Sequence, residues 1–245
     1  VNGKKLTRIT SITSIIFTIY IHFIQKYMLF RPLAHDKRLI QSYQTEKTKY
    51  SFDLLKHTLF SDCLLQISNI CFDKSNKNSP SIENIMLELE GNDHIIEALK
   101  ILYSNCKIGT LNDDCTVGHP YTNDEQQEKI RRNDEQQEKI RRSDFDEKHL
   151  SLKMHWGKLK ESHISKKIKD LRNKVVAHRD IKDVNDNFEL SIFGDYNITY
   201  REFEIFTEKV KEIMILLQAL VRQSGFDYGS LDSFIEKNIN GFWDK

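Results

Sequence analysis

Apolar residues recur at three- and four-residue spacing along most of the chain, the period of helices that bury one face. The first such stretch is residues 9–25, where Ile9, Ile12, Ile16, Ile19, Tyr20 and Phe23 share a side. Lys4, Lys5 and Arg8 precede it and Lys26 interrupts it. This order also suits a signal peptide, but no small-x-small cleavage site follows. A membrane span needs about 20 apolar residues, whereas this run holds five Ser/Thr, a His and a Gln. The pattern predicts an amphipathic helix packed on a core, with a membrane tether as the rival reading.

A second helix is predicted over residues 50–73 from Phe52, Leu55, Leu59, Cys63, Ile67 and Ile70. Ser79 as N-cap, Pro80 in the first helical position and Gly91 as the stop bound a third. Ile95, Leu99, Leu102 and Cys106 mark a fourth over residues 94–106, and residues 107–121 read as a loop containing Gly109, Gly118 and Pro120. A long helix is predicted from His149 to Val175, with Leu152, Trp156, Leu159, His163, Ile168 and Leu171 facing inward and Lys166, Lys167 and Lys169 on the other side. A polar connection with a short strand over residues 188–193 follows. Thr199 and Glu202 form a capping box. The helix that they open carries Phe203, Phe206, Val210, Ile213, Met214, Leu217, Leu220 and Val221 inward and ends at Gly225. The tail has room for one more short helix.

One segment breaks the pattern. NDEQQEKIRR at residues 123–132 is repeated without change at residues 133–142. Ten residues turn a helix by about 1000°, so equivalent positions of the two copies lie roughly 80° apart. The duplication therefore cannot extend a core-facing stripe. The expected organisation is an all-α up-down bundle: helices in residues 1–122, an exposed helical or flexible insert over 123–148, and further helices of the same domain over 149–245.

With only 3 Pro and 9 Gly in 245 residues, the composition argues against a turn-rich β-sandwich. The four cysteines show no CxxC spacing, so they support neither a disulfide framework nor a zinc site, and a reducing, cytoplasmic setting is expected. The net charge of +1 conceals blocks. Residues 149–182 carry ten basic and three acidic side chains, a density that suits either an ordinary solvated helix face or a polyanion-facing surface.

The chemistry concentrates in LRNKVVAHRDIKDVN, residues 171–185. Its second half, His178-Arg179-Asp180 with Lys182 and Asn185, matches a protein-kinase catalytic loop. No GxGxxG occurs in the chain, and only Phe193-Gly194-Asp195 approaches the metal-binding Asp-Phe-Gly, in the wrong order. The kinase match is coincidence.

The first half, Arg172-Asn173 followed after four residues by His178, stands at the end of a basic helix. It resembles the HEPN superfamily of helical ribonucleases and nucleotide binders. The phrases SDCLLQISNICFDK and SPSIENIMLEL, the later RNKVVAHRD and the tail NGFWDK resemble its abortive-infection, AbiU-type branch, over roughly residues 15–245 except the duplicated arm. The resemblance implies a HEPN-like bundle acting as a metal-independent, cofactor-free endoribonuclease of the toxin or phage-defence type. His178 would move the proton of the 2′-OH, since imidazole titrates near neutrality. Arg172 would grip the scissile phosphate, and Asn173 would orient the histidine or bind phosphate. The products would be a 2′,3′-cyclic phosphate and a 5′-hydroxyl. Lys174, Arg179 and Asp180 are supporting candidates, Asp180 either tuning His178 or capping the helix.

Residues six apart on a straight helix differ by about 9 Å in height and about 120° in azimuth. Arg172 and His178 are thus poorly placed to hold one phosphate from a single regular helix. A two-fold dimer sharing one cleft removes the difficulty, and the resemblance implies such a homodimer. The expected partners are RNA, a second copy and an antitoxin protein. The rival from another class is a non-catalytic RNA- or nucleotide-binding module.

Overall fold

The computed structural model describes residues 2–43, 45–74, 78–105, 124–172, 181–184, 187–190, 198–223 and 228–243. Its helices are α1 (Asn2–His35), α2 (Lys37–Ser42), α3 (Glu46–Phe72), α4 (Ile82–Glu90), α5 (Asp93–Asn105), α6 (Asp124–Glu161), α7 (His163–Leu171), α8 (Tyr200–Leu217) and α9 (Tyr228–Trp243). A small hairpin pairs β1 (Ile181–Val184) with β2 (Asn187–Leu190) in antiparallel register, Ile181 opposite Leu190 and Val184 opposite Asn187. The strand expected over residues 188–193 thus begins one residue earlier. The fold is an all-α bundle with this one appended ribbon.

α1 is the spine. Ile9, Ile12, Ile16, Tyr20 and Phe23 are buried, and the stripe continues past Lys26 through Tyr27, Phe30 and Leu33. Lys26 does not break it because its ammonium points sideways to Asp62 of α3, at 2.6 Å. Four of the run's five hydroxyls, those of Thr10, Thr13, Ser14 and Thr18, and that of Thr7 just before it, each donate to the carbonyl four residues earlier. That back-bonding lets Thr13 be wholly buried without an orphaned donor. By length and composition alone the helix from Gly3 to His35 is able to cross a membrane, its most apolar 18-residue window having a mean hydropathy of 1.3. Its apolar stripe is nonetheless covered by other helices of the bundle.

Cross-helix pairs fix the directions. Ile19 meets Gln66, Lys26 meets Asp62 and Phe30 stacks on Phe60, so α1 and α3 run antiparallel. Phe17 lies under Arg222, Tyr27 against Phe203 and Phe30 against Tyr200, which makes α8 antiparallel to α1 as well. Glu97–Arg142, Lys100–Asp146 and Tyr103–Lys148 ascend together, so α5 and α6 are parallel. The core is continuous and aromatic at its centre, with Phe203 meeting Phe23, Tyr27 and Phe60 edge-on.

Several boundaries differ from the sequence expectation, each for a local reason. The helix expected from His149 into Val175 is two helices broken at Ser162, which is extended (φ −63°, ψ 147°) and caps Ser165. Leu159 and Ile168 are nine residues apart, half a turn out of phase on one helix. The break resets the phase, so Ile164, Ser165, Ile168 and Leu171 are buried and His163 is exposed. At α4 the N-cap is Ser81 rather than Ser79, and Pro80 precedes the cap instead of opening the helix. Asn84 reaches back to the Ser79 carbonyl at 2.9 Å, which helps to hold the entering chain in place. Tyr103, not Leu102, faces inward on α5, because its ring packs on Phe145 of α6. Leu55 is exposed too. Near the start of α3 Phe52 is the covered side chain, stacked on Tyr43. α8 passes into a π-helical turn, Gln218–Arg222, and Gln223 takes the left-handed conformation (φ 54°). The wider turn accompanies burial of both Leu220 and Val221. The helical ladder thus ends before Gly225, which, with Cys106 and the loop at 107–121, lies outside the described residues.

The capping box is present: Thr199 accepts from Glu202 N–H at 3.1 Å, and Glu202 accepts from Thr199 N–H at 2.9 Å. The backbone bond from Thr199 and the one from Lys167 hold the Glu202 carboxyl below the usual glutamate range. A depressed carboxylate stabilises the fold above its unfolded pKa of about 4.3 and ceases to do so as pH falls through its folded value. Glu202→Gln should therefore melt earlier than the parent at pH 7, and the gap should close as pH falls from about 5 to about 3. Thr199→Ala should cost about 1 kcal/mol at neutral pH. Thermal melts at both pH values check this.

α6 is one helix of 38 residues that carries both repeat copies apart from the opening Asn123. In the second copy Asp134, Glu135, Gln136, Gln137, Lys139 and Ile140 are exposed, and Arg142 pairs with Glu97 and Glu138 at 3.1 Å. Because the copies are identical, deleting either leaves the retained one in the place of the second, with its neighbours unchanged. The melting temperature should move by no more than about 2 °C, the scale of an exposed substitution. Unfolding of the deletion variant would make the arm part of the bundle.

Candidate functional site

Four helix ends meet at one place: the C-terminal ends of α3, α6 and α7, and the start of α4. Leu171 is buried, so Arg172, next in line and still helical (φ −56°, ψ −49°), leaves the core surface beside α3. Its guanidinium is held on three sides. Nε donates to Asn69 Oδ1 at 2.9 Å, Nη1 to the Phe72 carbonyl at 3.4 Å and Nη2 to Asp73 Oδ1 at 2.7 Å. Asn69 and Asp73 are one helical turn apart, so both face the same fork. Phe72 closes α3 and Asp73 caps it, which places the cation where the helix dipole favours it. The side chains of Arg172 and Asp73 are each 22% exposed.

The turn from α3 into α4 is fixed around the same aspartate. Its carbonyl accepts from Ser81 Oγ at 2.8 Å and from Asn84 Nδ2 at 3.1 Å. Beside Asn84, the Glu83 side chain is only 1% exposed, with Lys74 Nζ at 2.9 Å and Lys160 Nζ at 3.7 Å. Lys169 lies 4.3 Å above the Phe72 ring, which itself packs on Trp156 and Phe206. Burial pushes the Lys169 ammonium below the usual lysine range, Glu83 opposes this, and Lys160 and Lys74 add to it. A buried anion thus lies among cations from three segments.

Of the residues singled out in the sequence, Arg172 is placed by the structure, whereas Asn173, Lys174, His178, Arg179 and Asp180 lie outside the described residues. Sequence reasoning did not single out Asn69, Asp73, Glu83, Lys74 or Lys160. The signal for the first two was present: they lie in the phrase SDCLLQISNICFDK at a spacing of four, at the end of a helix. Lys169, assigned to the solvent side, instead covers an aromatic ring. Among the described residues no three His, Cys, Asp or Glu side chains gather as a metal site would require.

A HEPN family model, described as AbiU2, matches residues 11–241. No curated protein and no solved structure matches the chain. The family match spans α3, the turn into α4, the Arg172 pocket and the capping box of α8, and the chain belongs to the AbiU2 family of HEPN abortive-infection proteins.

Proposed function

We propose that this chain is a metal-independent endoribonuclease effector, of the toxin or phage-defence type, that cuts RNA with Arg172 and His178. The observation that carries the reading is the posture of Arg172. Asn69 and Asp73 fix a planar, permanently charged fork at the start of the motif, beside three further cations. Such a fork matches phosphate oxygens at two points and stabilises the charge that develops on them. His178 takes the 2′-OH proton and returns one to the leaving 5′-oxygen, and the pathway needs no metal or cofactor. Asn173 orients the imidazole or binds the phosphate, and Lys174, Arg179 and Asp180 support the site. Two copies share one cleft, the protein acts in the cytoplasm, and an antitoxin protein restrains it.

The Arg172–Asp73 pair also favours a second reading. A guanidinium already engaged by a carboxylate suits a structural tie in a non-catalytic RNA- or nucleotide-binding module. Expression of the wild-type chain beside His178→Ala separates the two. Under the nuclease reading only the wild type arrests growth, and its RNA fragments carry 5′-hydroxyl ends. Equal toxicity of the pair, or 5′-phosphate ends, refutes it.

A further inference from the structure

We propose that Lys74, Lys160 and Lys169 form a phosphate track that leads single-stranded RNA to Arg172, with the buried Glu83 as its anchor. The proposal rests on the RNA-cleaving reading above. The three lysines come from the segment after α3, the last turn of α6 and the last turn of α7; Lys74 and Lys160 pair with one carboxylate, and Lys169 stands over the Phe72 ring within reach of the same field. Glu83 is covered, whereas the side chains of Lys74 and Lys160 keep 58% and 44% of their exposure. The negative charge is therefore beneath and the positive charge faces outward. An ammonium has three donors, so one that touches Glu83 still offers hydrogen bonds to a phosphate. Three lysines against one glutamate leave a local excess of positive charge, and the Arg172–Asp73 pair beside them is neutral overall. Lys169, next to the Phe72 ring and three residues from Arg172, marks the end of the track nearest the motif.

Lysines that neutralise phosphates are identified by salt dependence, because each contact to a single strand contributes about 0.7 to the slope of log affinity against log salt. The measurement is fluorescence anisotropy of a labelled oligouridylate with the full chain, in a His178→Ala background so that the RNA persists. Each of Lys74→Gln, Lys160→Gln and Lys169→Gln should reduce the slope by about 0.7, and the triple variant by about 2, a loss of about 100-fold in affinity at 0.1 M salt. Lys139→Gln, on the exposed arm, should change nothing. A purely structural role would lower the melting temperature and leave the slope alone. Should the triple variant fail to fold, the three single variants decide. Unchanged slopes in folded variants, or no salt-dependent binding by the parent, overturn the track. RNA bound with lysine-dependent slopes but never cut by the wild type overturns the nuclease reading and leaves the track standing. Cleavage with lysine-independent slopes does the reverse.

Discussion

Replacing His178 by Ala should lower RNA cleavage by about 10²–10⁴-fold while the helical content stays unchanged, the range associated with loss of a general acid–base. An imidazole with an ordinary pKa of about 6.5 can both accept and release a proton at neutral pH, and alanine can do neither. Chelation of divalent metals should leave wild-type cleavage intact. Arg172→Lys should also cut poorly, for a reason visible in the structure: a single ammonium cannot meet Asn69, the Phe72 carbonyl and Asp73 together and still present a flat edge to phosphate. Arg172→Ala should in addition destabilise the fold by roughly 1–3 kcal/mol, because Asp73 would lose its charged partner at a partly buried site. Activity assays with melts of the same preparations separate the two effects. Undiminished cleavage by folded His178→Ala would sink the assignment.

The largest stability loss is expected from Phe203→Ala. The ring is wholly buried, and its edge contacts with Phe23, Tyr27 and Phe60 join α8 to α1 and α3. Truncation leaves a cavity among large rings that cannot collapse without moving helices, at a cost of about 3–5 kcal/mol. For a chain of this size that corresponds to about 6–20 °C in melting temperature. Phe234→Ala, on the exposed face of α9, provides the contrast and should scarcely change the melt. Equal effects at the two positions would mean that the bundle is not organised around the α1–α3–α8 aromatic centre.

Helix existence and inward faces were legible wherever an apolar stripe ran unbroken, as in α1 and α8. Periodicity lost accuracy where one side chain redirected the backbone. Ser162 is a single residue, yet it shifts the phase between Leu159 and Ile168, and no stripe reading detects a half-turn reset. The same holds for Ser81 and Asn84, which donate to the preceding Asp73 and Ser79 carbonyls and so move the start of α4. At the site, Arg172 was found because a motif marks it, and Asn69 and Asp73 lay in a recognisable phrase, but their pairing with Arg172 and the place of Glu83 became visible only when α3, α4, α6 and α7 were brought together. Contacts across 99 residues, as between Arg172 and Asp73, leave no trace in a local pattern.

The identical tandem copies in α6 make its outer length a counted quantity. Each copy adds about 15 Å of helix and turns the far end by about 80° in the opposite sense to the winding, while everything beyond Ser143 keeps its place in the bundle. Chains carrying one, two or three copies would differ as settings of a ratchet differ, in reach and heading together. Variation in copy number would therefore sample new positions for whatever the arm meets, without passing through a destabilised intermediate.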